Sequence, residues 1–289
     1  MKKVWLITGS AHGLGRSIAL TVLERGDSLV ATARNIEQLD DLKEKYGSRI
    51  VIAKLDVTRP KEAQHAINTA IESFGRLDVL VNNAGFASIA PFEQMTPEDF
   101  DSQMATNFFG VVNLTRVVLP FMRMQKSGHI INISSGAGRI GAPGMSAYSS
   151  AKFAVGGFTE CVAKEVAAFG VKVIAVEPGS MPTQWASLAK DNPQVLMPEY
   201  EESVGHMLGM TDSLSGNEIG DLDKYAAVIF SLSRKSELPY HLLLGSDALF
   251  AVKMVEAARS KVEYEWENIS KSTDRENADL SFLKNLSLD

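Results

Sequence analysis

Cysteine is nearly absent from this chain: Cys161 stands alone among 289 residues, so no internal disulfide can form. It sits near Phe158, Val162 and Val166 in a helical pattern, where a small buried apolar residue is expected rather than a nucleophile. Histidine is scarce as well. The five, at 12, 65, 129, 206 and 241, form no local metal-ligand spacing, so no catalytic metal is expected. A basic excess is missing too: 29 Lys and Arg stand against 35 Asp and Glu, a net charge of −6, which offers no footprint for nucleic acid or an anionic membrane. Apolar runs are short, and no membrane-spanning segment is expected. Val4–Thr8 ends at glycine without a cleavage site and reads as a first strand, not a signal peptide. With one unpaired cysteine, the cytoplasm is the expected compartment. Internal repeats and Gly/Ser linkers are lacking, which predicts a single domain over 1–289.

What is present is an ordinary globular composition, 45% hydrophobic and 22% charged, on a chain long enough to bury a sizeable core. Strand-like runs at Val4–Thr8, Ser28–Ala33, Ile50–Leu55, Val79–Val81, His129–Ile133, Val171–Val176 and His241–Leu244 alternate with helical patterns. Alternation of this kind predicts an α/β fold with a doubly wound, mostly parallel sheet and helices on both faces. Ala63, Ala66, Ile67, Ala70, Ile71 and Phe74 form one apolar helical stripe. Pro60 after Thr58, and Thr96-Pro97-Glu98-Asp99, predict helix starts with a capping hydroxyl, an early proline and early carboxylates. Two stretches depart from the pattern. Residues 183–220 show no strong period but hold Trp185, Leu188, Met197, Met207, Leu208 and Met210, as either a cover over an apolar pocket or a surface loop would. After Ser246, apolar residues recur at three or four through Ile269, predicting an extra C-terminal helix over 246–271 that serves packing or an oligomer contact.

Thr8-Gly9-Ser10-Ala11-His12-Gly13-Leu14-Gly15 follows a strand and opens a helix, the context in which glycines let backbone amides approach a pyrophosphate. Gly9, Ser10, Gly13, Leu14 and Gly15 are therefore candidate dinucleotide contacts. At the end of the second strand, where an NAD site usually places Asp or Glu on the ribose, the chain has Ala33-Arg34. Alanine does not repel a 2′-phosphate and a guanidinium holds one, which points to NADP(H); the alternative is that Arg34 is a solvated surface charge. His12 is a candidate second donor. Asp56-Val57 would bond the adenine amino group, although an Asp-Val-Thr helix start explains them equally.

Tyr148-Ser149-Ser150-Ala151-Lys152 places a phenol and an ammonium side by side on one helix. A phenol titrates near pH 10, so it moves protons well at neutral pH only where a neighbouring cation favours its ionised form, and Lys152 is placed to supply one. The pair alone also suits an ordinary solvated helix face. Ser134-Ser135 precede it by a short interval.

Taken in order, Thr8 to Gly15, Asp56, Asn82-Asn83-Ala84-Gly85, Asn107, Ser135, Tyr148 with Lys152, and Pro178-Gly179 resemble the motifs of the short-chain dehydrogenases/reductases, in the branch with a Thr-Gly-x3-Gly-x-Gly turn. The resemblance spans about Lys3 to Gly179. It implies a Rossmann-like fold and catalytic roles for Asn107, Ser135, Tyr148 and Lys152. Tyr148 would be the general acid in reduction and base in oxidation, and Ser135 would hold the substrate oxygen. Lys152 would lower the phenol pKa and bond the nicotinamide ribose, and Asn107 would hold a relay water. Ser134 would line the cofactor or the strand end. Asn83, Ala84 and Gly85 would wall the adenosine side, while Pro178, Gly179 and Thr183 would grip the nicotinamide end. The family also implies a small-molecule substrate and a homo-oligomer, dimer or tetramer.

Departures from the family sharpen the expectation. Members acting on acyl-carrier substrates usually stop soon after a glycine-rich last strand, whereas here Leu242-Leu243-Leu244-Gly245-Ser246-Asp247 continues into a helix. The layout is closer to hydroxysteroid, retinol and general carbonyl reductases. The leading expectation is therefore an NADPH-dependent carbonyl reductase or alcohol dehydrogenase for apolar ketones, aldehydes or secondary alcohols. A catalytically idle dinucleotide sensor is the rival from another class, and it has no need of a general acid. Sugar-nucleotide epimerases share the Tyr-Lys pair but usually carry Gly-x2-Gly-x2-Gly and a larger C-terminal domain.

Overall fold

Alternate residues of the first strand point to opposite sides of a sheet, and both sides are apolar: Trp5 and Ile7 join one core, Val4 and Leu6 the other. A strand buried on both faces belongs in the middle of a parallel sheet, and that is where it lies. The computed structural model describes residues 2–182 and 195–285. Strands β1 (Val4–Ile7), β2 (Ser28–Ala33), β3 (Ile50–Lys54), β4 (Val79–Asn82), β5 (Gly128–Ile133), β6 (Val171–Pro178) and β7 (His241–Leu244) form one sheet in the order β3-β2-β1-β4-β5-β6-β7. Every pairing is parallel, with register such as Leu6↔Val30, Leu6↔Leu80 and Ile133↔Val176.

Helices cover both faces. On one, α1 (Gly13–Glu24), α2 (Asp40–Tyr46) and α8 (Leu222–Leu232) pack Ile18, Leu42 and Ile229 against Trp5, Leu29 and Ile174. On the other, α3 (Pro60–Phe74), α5 (Gly110–Gln125) and α6 (Ser146–Val166) pack Ile67, Leu114 and Val162 against Leu6, Leu80 and Val173. Helix α4 (Pro97–Met104) runs into α5 through a π turn, Ala105–Phe109, and Thr96 caps it by accepting the Asp99 N–H at 3.1 Å. The expected hydroxyl cap of α3 is not Thr58. Arg59 is the capping residue, and Thr58 instead donates its hydroxyl and N–H to Asp56 Oδ1, at 2.7 and 3.0 Å.

Three other expectations need correction. Cys161 is exposed, because the buried stripe of α6 runs through Val155, Thr159, Val162 and Val166, and a residue one position off that stripe turns about 100° away from it. By length and composition, the continuous helix Pro97–Gln125 is long and apolar enough to cross a bilayer, contrary to the expectation that no apolar segment is. One face of it buries Leu114, Val118 and Met122 against the sheet. Residues 195–220 are not aperiodic: a turn at Pro198–Tyr200, a π turn at Glu201–Gly205 and helix α7 (His206–Leu214) succeed one another. Val204, Met207, Leu208 and Thr211 had the i, i+3, i+4, i+7 spacing all along, diluted by glycines and serines.

The chain divides into two compact units, Met1–Leu249 and Phe250–Asp289. Helix α9 (Ser246–Glu265) begins at the end of the first unit, and α10 (Glu267–Lys271) follows after a break at Trp266, so the single helix expected over 246–271 is two.

At the N-terminal edge of the sheet, Asp27 accepts hydrogen bonds from the Lys3 N–H, the Trp5 indole and Arg234, while Asp78 accepts the Val4 N–H and pairs with Arg76. His129 is buried beside them, with Nε2 at 3.2 Å from the Lys235 carbonyl oxygen. Burial, reinforced by the Lys3 charge, pushes its pKa down to about 4 from 6.5. An unfolded chain therefore takes up a proton at His129 before the folded one does, and stability present above pH 6.5 is lost as pH falls toward 4. The full effect is on the order of 3 kcal/mol. Urea unfolding at pH 7 and pH 4.5 should show a smaller loss for His129→Gln than for the wild type, and equal losses would show that His129 does not drive it.

Candidate active site

Strand order reverses between β1 and β4, and a crevice opens there at the C-terminal edge of the sheet, the standard ligand position of a doubly wound fold. Every candidate site residue within the described chain lies at this edge or on the helices that border it. The glycine turn follows β1, Arg34 follows β2, Asp56 and Val57 follow β3, Asn83 to Gly85 follow β4, Ser134 and Ser135 follow β5, and Gly179 follows β6.

The glycine turn is shaped by backbone need. Gly9 and Gly13 have φ of +68° and +52°, values that side chains other than glycine's rarely tolerate. At Gly15 a Cβ would overlap the Gly9 carbonyl oxygen and lie 2.5 Å from Asn83 Nδ2. Helix α1 starts here with no side-chain cap and no acidic residue in its first turn, so its dipole faces the crevice uncompensated by a local carboxylate. An uncovered helix start behind a cradle that a side chain would fill fits a dinucleotide pyrophosphate. His12 occupies the cap position and is exposed, whereas Leu14 is buried in the core. Ser10 turns its hydroxyl inward, donating to the Ile7 carbonyl at 2.8 Å and accepting the Thr32 N–H at 3.3 Å, and its own N–H donates to the Thr32 carbonyl at 2.8 Å, so both of its donors serve the ends of β1 and β2 and not the crevice.

Two residues hold the cradle in place. Thr8 Oγ1 accepts the N–H groups of Asn83 and Ala84, both at 2.9 Å, and Asn83 Nδ2 donates to the carbonyls of Thr8 and Gly9 at 2.9 and 3.2 Å. The two loops at the crevice are thus tied to one another. Thr8 had stood in the motif without a role, and only the reversal of strand order between β1 and β4 reveals it.

On the adenosine side, Ala33 ends β2 almost fully buried and Arg34 is exposed beside it. Asp56 is pushed up by burial, but hydrogen bonds from Thr58 and the charges of Arg59 and Arg34 outweigh this and hold its carboxyl below the usual range. Arg34 and Asp56 are neighbours across the ends of β2 and β3. Asp56 also accepts through its helix-start contacts, while its N–H donates to Glu62 at 2.7 Å, and Val57 is buried with its carbonyl taken by Asn113 at 3.0 Å. The helix-start reading of Asp56-Val57 thus has direct contacts behind it.

Around the proposed proton donor, α6 presents Tyr148 and Lys152 to the end of β5. Lys152 is fully enclosed, donates from Nζ to the Ile133 carbonyl at 2.8 Å and lies 5.6 Å from the Tyr148 ring centre. Desolvation lowers its pKa to about 8, so at neutral pH it still carries a proton. Ser134 Oγ donates to the Lys152 carbonyl at 3.2 Å and belongs to the strand-end packing. Ser135 is extended and half-buried, its Oγ accepting the Ala137 N–H at 3.1 Å. Asn107 lies within the π turn, a frequent mark of functional helices. Its side chain bonds the Phe86 N–H and carbonyl at 3.2 and 2.8 Å and the Gln103 carbonyl at 2.9 Å, so it clips the loop after β4 instead of reaching toward Lys152. Gly85 separates the two: a Cβ there would lie 2.5 Å from Asn107 Oδ1 and 3.6 Å from Lys152 Nζ.

Tyr148 is also the polar member of an apolar cluster with Ala87, Ile89, Met145 and Val204, onto which Leu196, Tyr200, Met207 and Leu208 pack. The stretch bearing these last residues is fastened to the turn after Pro91 by Tyr200 Oη donating to Glu93 at 2.6 Å and the Met197 N–H to Gln94 at 3.1 Å. Met210, expected in the apolar wall, is half-exposed and outside this cluster. Thr183, Trp185 and Leu188 lie outside the described residues.

The family model described as short chain dehydrogenase matches residues 3–194. Oxidoreductase BOA17 of Botryotinia fuckeliana is 44% identical over 272 residues, covering 93% of this chain and 98% of its own. A short-chain dehydrogenase structure from Streptomyces avermitilis superposes with a TM-score of 0.87 at 36% identity, covering 95% of this chain and 100% of that one. ElxO with NADP bound gives 0.71 at 31% identity, covering 84% and 96%. A short chain dehydrogenase/reductase from Burkholderia phymatum in complex with NAD gives 0.77 at 24% identity, covering 99% and 98%, a likeness of fold alone.

Proposed function

The chain belongs to the short chain dehydrogenase family, whose members are oxidoreductases of CH–OH and C=O groups, and from that premise we propose an NADP(H)-dependent reductase of apolar ketones and aldehydes, working also as a dehydrogenase of the matching alcohols. The observation that carries this reading is Tyr148 set in an apolar cluster within reach of a buried lysine.

Bound in the crevice, a nicotinamide cofactor supplies or accepts the hydride. Tyr148 holds at Oη the proton that the substrate oxygen needs as its negative charge grows. Lys152, enclosed and still protonated at neutral pH, makes loss of that proton easier by favouring the phenolate. Ser135 offers a second donor to the same oxygen, which stabilises the transition state more than the neutral carbonyl. Asn107 keeps the loop of Gly85 and Phe86 beside Lys152 by its two contacts with the Phe86 backbone, and its third, to the Gln103 carbonyl, fixes its own amide. Pro178 and Gly179 border the nicotinamide end, and Arg34 with an uncharged Ala33 favours a 2′-phosphate. ElxO holds NADP and the Burkholderia protein NAD, so the preference here rests on those two residues.

We also place the protein in the cytoplasm and as a homo-oligomer. Phe109, Phe153 and Phe169 are exposed along the α5 and α6 side, beside an apolar groove lined by Val112, Leu119, Phe158 and Val166, a surface suited to a second copy.

The direct test follows nicotinamide absorbance with ketones, aldehydes and alcohols and with both cofactors; no turnover of any would overturn the reading. Within such a series, kcat/KM should rise from a small ketone to a bulky alicyclic or aromatic one, because the walls around Tyr148 are apolar. Met207→Ala should lower the value for the bulky substrate about tenfold, the discrimination typical of a lost hydrophobic contact, and leave the small ketone nearly unchanged. A flat series in both proteins would show that this wall does not select substrate.

A further inference from the structure

The sequence Leu244-Gly245-Ser246-Asp247 set this chain apart from relatives that stop after the last strand, and the proposed mechanism gives it no task. In the structure it closes onto the exit of β6. Asp247 Oδ2 accepts both the backbone N–H and the hydroxyl of Ser180 at 2.7 Å, and Oδ1 accepts the Ala248 N–H at 2.8 Å. Just before them, the Gly179 N–H donates to the Leu244 carbonyl at 2.8 Å, and Tyr225 Oη donates to that same carbonyl at 3.1 Å.

The glycines here exist to admit the carboxylate. A Cβ on Gly179 would overlap it, and one on Gly245, which has φ of +102°, would lie 2.6 Å from Oδ1. Gly220 backs the same spot: its Cβ would overlap the Ser180 carbonyl oxygen. Gly220 therefore packs on Ser180, the residue the carboxylate holds, and between the two runs the stretch whose described part puts Leu196, Tyr200 and Met207 against Tyr148. Burial pushes the Asp247 carboxyl up, but the donors of Ser180 and Ala248 outweigh this and keep it ionised well below the usual range.

We propose that Asp247 is a positioning residue, whose doubly bonded clamp on Ser180 fixes Pro178-Gly179 for the nicotinamide end and sets the root of the apolar wall over Tyr148. The inference rests on the proposed cofactor site. Charge-assisted hydrogen bonds to a backbone and a hydroxyl on one residue hold both its position and its rotamer, which a single neutral contact does not.

The test uses the full chain and NADPH as the probe. Equilibrium binding followed by nicotinamide fluorescence should weaken about tenfold in Asp247→Asn, whose single uncharged oxygen cannot accept the Ser180 donors and the Ala248 N–H together, and steady-state assays should show a raised KM with a smaller change in kcat. Asp247→Glu should recover part of the affinity. Ser180→Ala keeps the backbone donor and should give a smaller shift in the same direction, and it decides the matter if Asp247→Asn does not fold. Wild-type NADPH affinity in the folded variants, with or without a lower melting temperature, would overturn the proposal. Tyr148→Phe separates the two readings: if it is inactive while Asp247→Asn binds NADPH normally, only the clamp fails, and if it stays active the functional reading itself fails.

Discussion

Tyr148→Phe should reduce kcat by about 10²–10⁴-fold, the range of general acid catalysis, while NADPH affinity stays near that of the wild type. The substitution removes the hydroxyl and nothing else. The ring stays packed among Ile89, Met145 and Val204, so the apolar wall and the substrate's contacts with it persist. Lys152 stays enclosed too, since its anchoring contact is the Ile133 carbonyl and not the phenol. Affinity and turnover are therefore expected to part company, which a general loosening of the site would not produce. Calorimetry of NADPH binding beside steady-state kinetics checks this directly. A variant that keeps more than about a tenth of wild-type kcat would show that another group delivers the proton.

How far the site could be read from the sequence depended on whether a feature is local. The seven strands were visible because short β-branched runs alternate with helical stripes, and the observed boundaries differ from the reading by a residue or two. Tyr148 and Lys152 were legible because i and i+4 on one helix are neighbours by geometry alone. Contacts across the fold were not. That Thr8 would hold Asn83 and Ala84, and Asp247 would hold Ser180, follows only once the β1–β4 and β6–β7 pairings are known. Errors had local causes as well. The exposure of Cys161 follows from its helix face and not from its apolar neighbours in sequence, and the Ser10 hydroxyl serves the backbone of β1 although its motif suggests a ligand contact. The spacing of Val204, Met207, Leu208 and Thr211 suits a helix face, but the glycines and serines between them weaken the periodic signal.

Exchanging Ala33 for Asp and Arg34 for a neutral residue should turn an NADPH preference of about ten- to a hundredfold into an NADH preference. Each half acts through a separate cause. Arg34 is exposed at the end of β2, free of the core, so a 2′-phosphate gains a charge-assisted contact there worth about 1.5–3 kcal/mol. Its near neighbour Asp56 has its carboxylate bonded to Thr58 and beside Arg59, which leaves the guanidinium available to a ligand phosphate. Ala33 acts by omission: nearly buried at the strand end, it brings no negative charge to the ribose, and an aspartate in its place would repel a phosphate while accepting from a 2′-hydroxyl. Arg34 supports no core contact, but Ala33 is buried in the core at the strand end, so Ala33→Asp should lower the melting temperature, which is measured beside the kinetics to show that the variant folds. Values of kcat/KM for the two cofactors, measured for each single variant and for the pair, separate the contributions. If the wild type uses NADH as well as NADPH, Arg34 is a surface charge and the cofactor assignment falls, with the proton chemistry of Tyr148 left untouched.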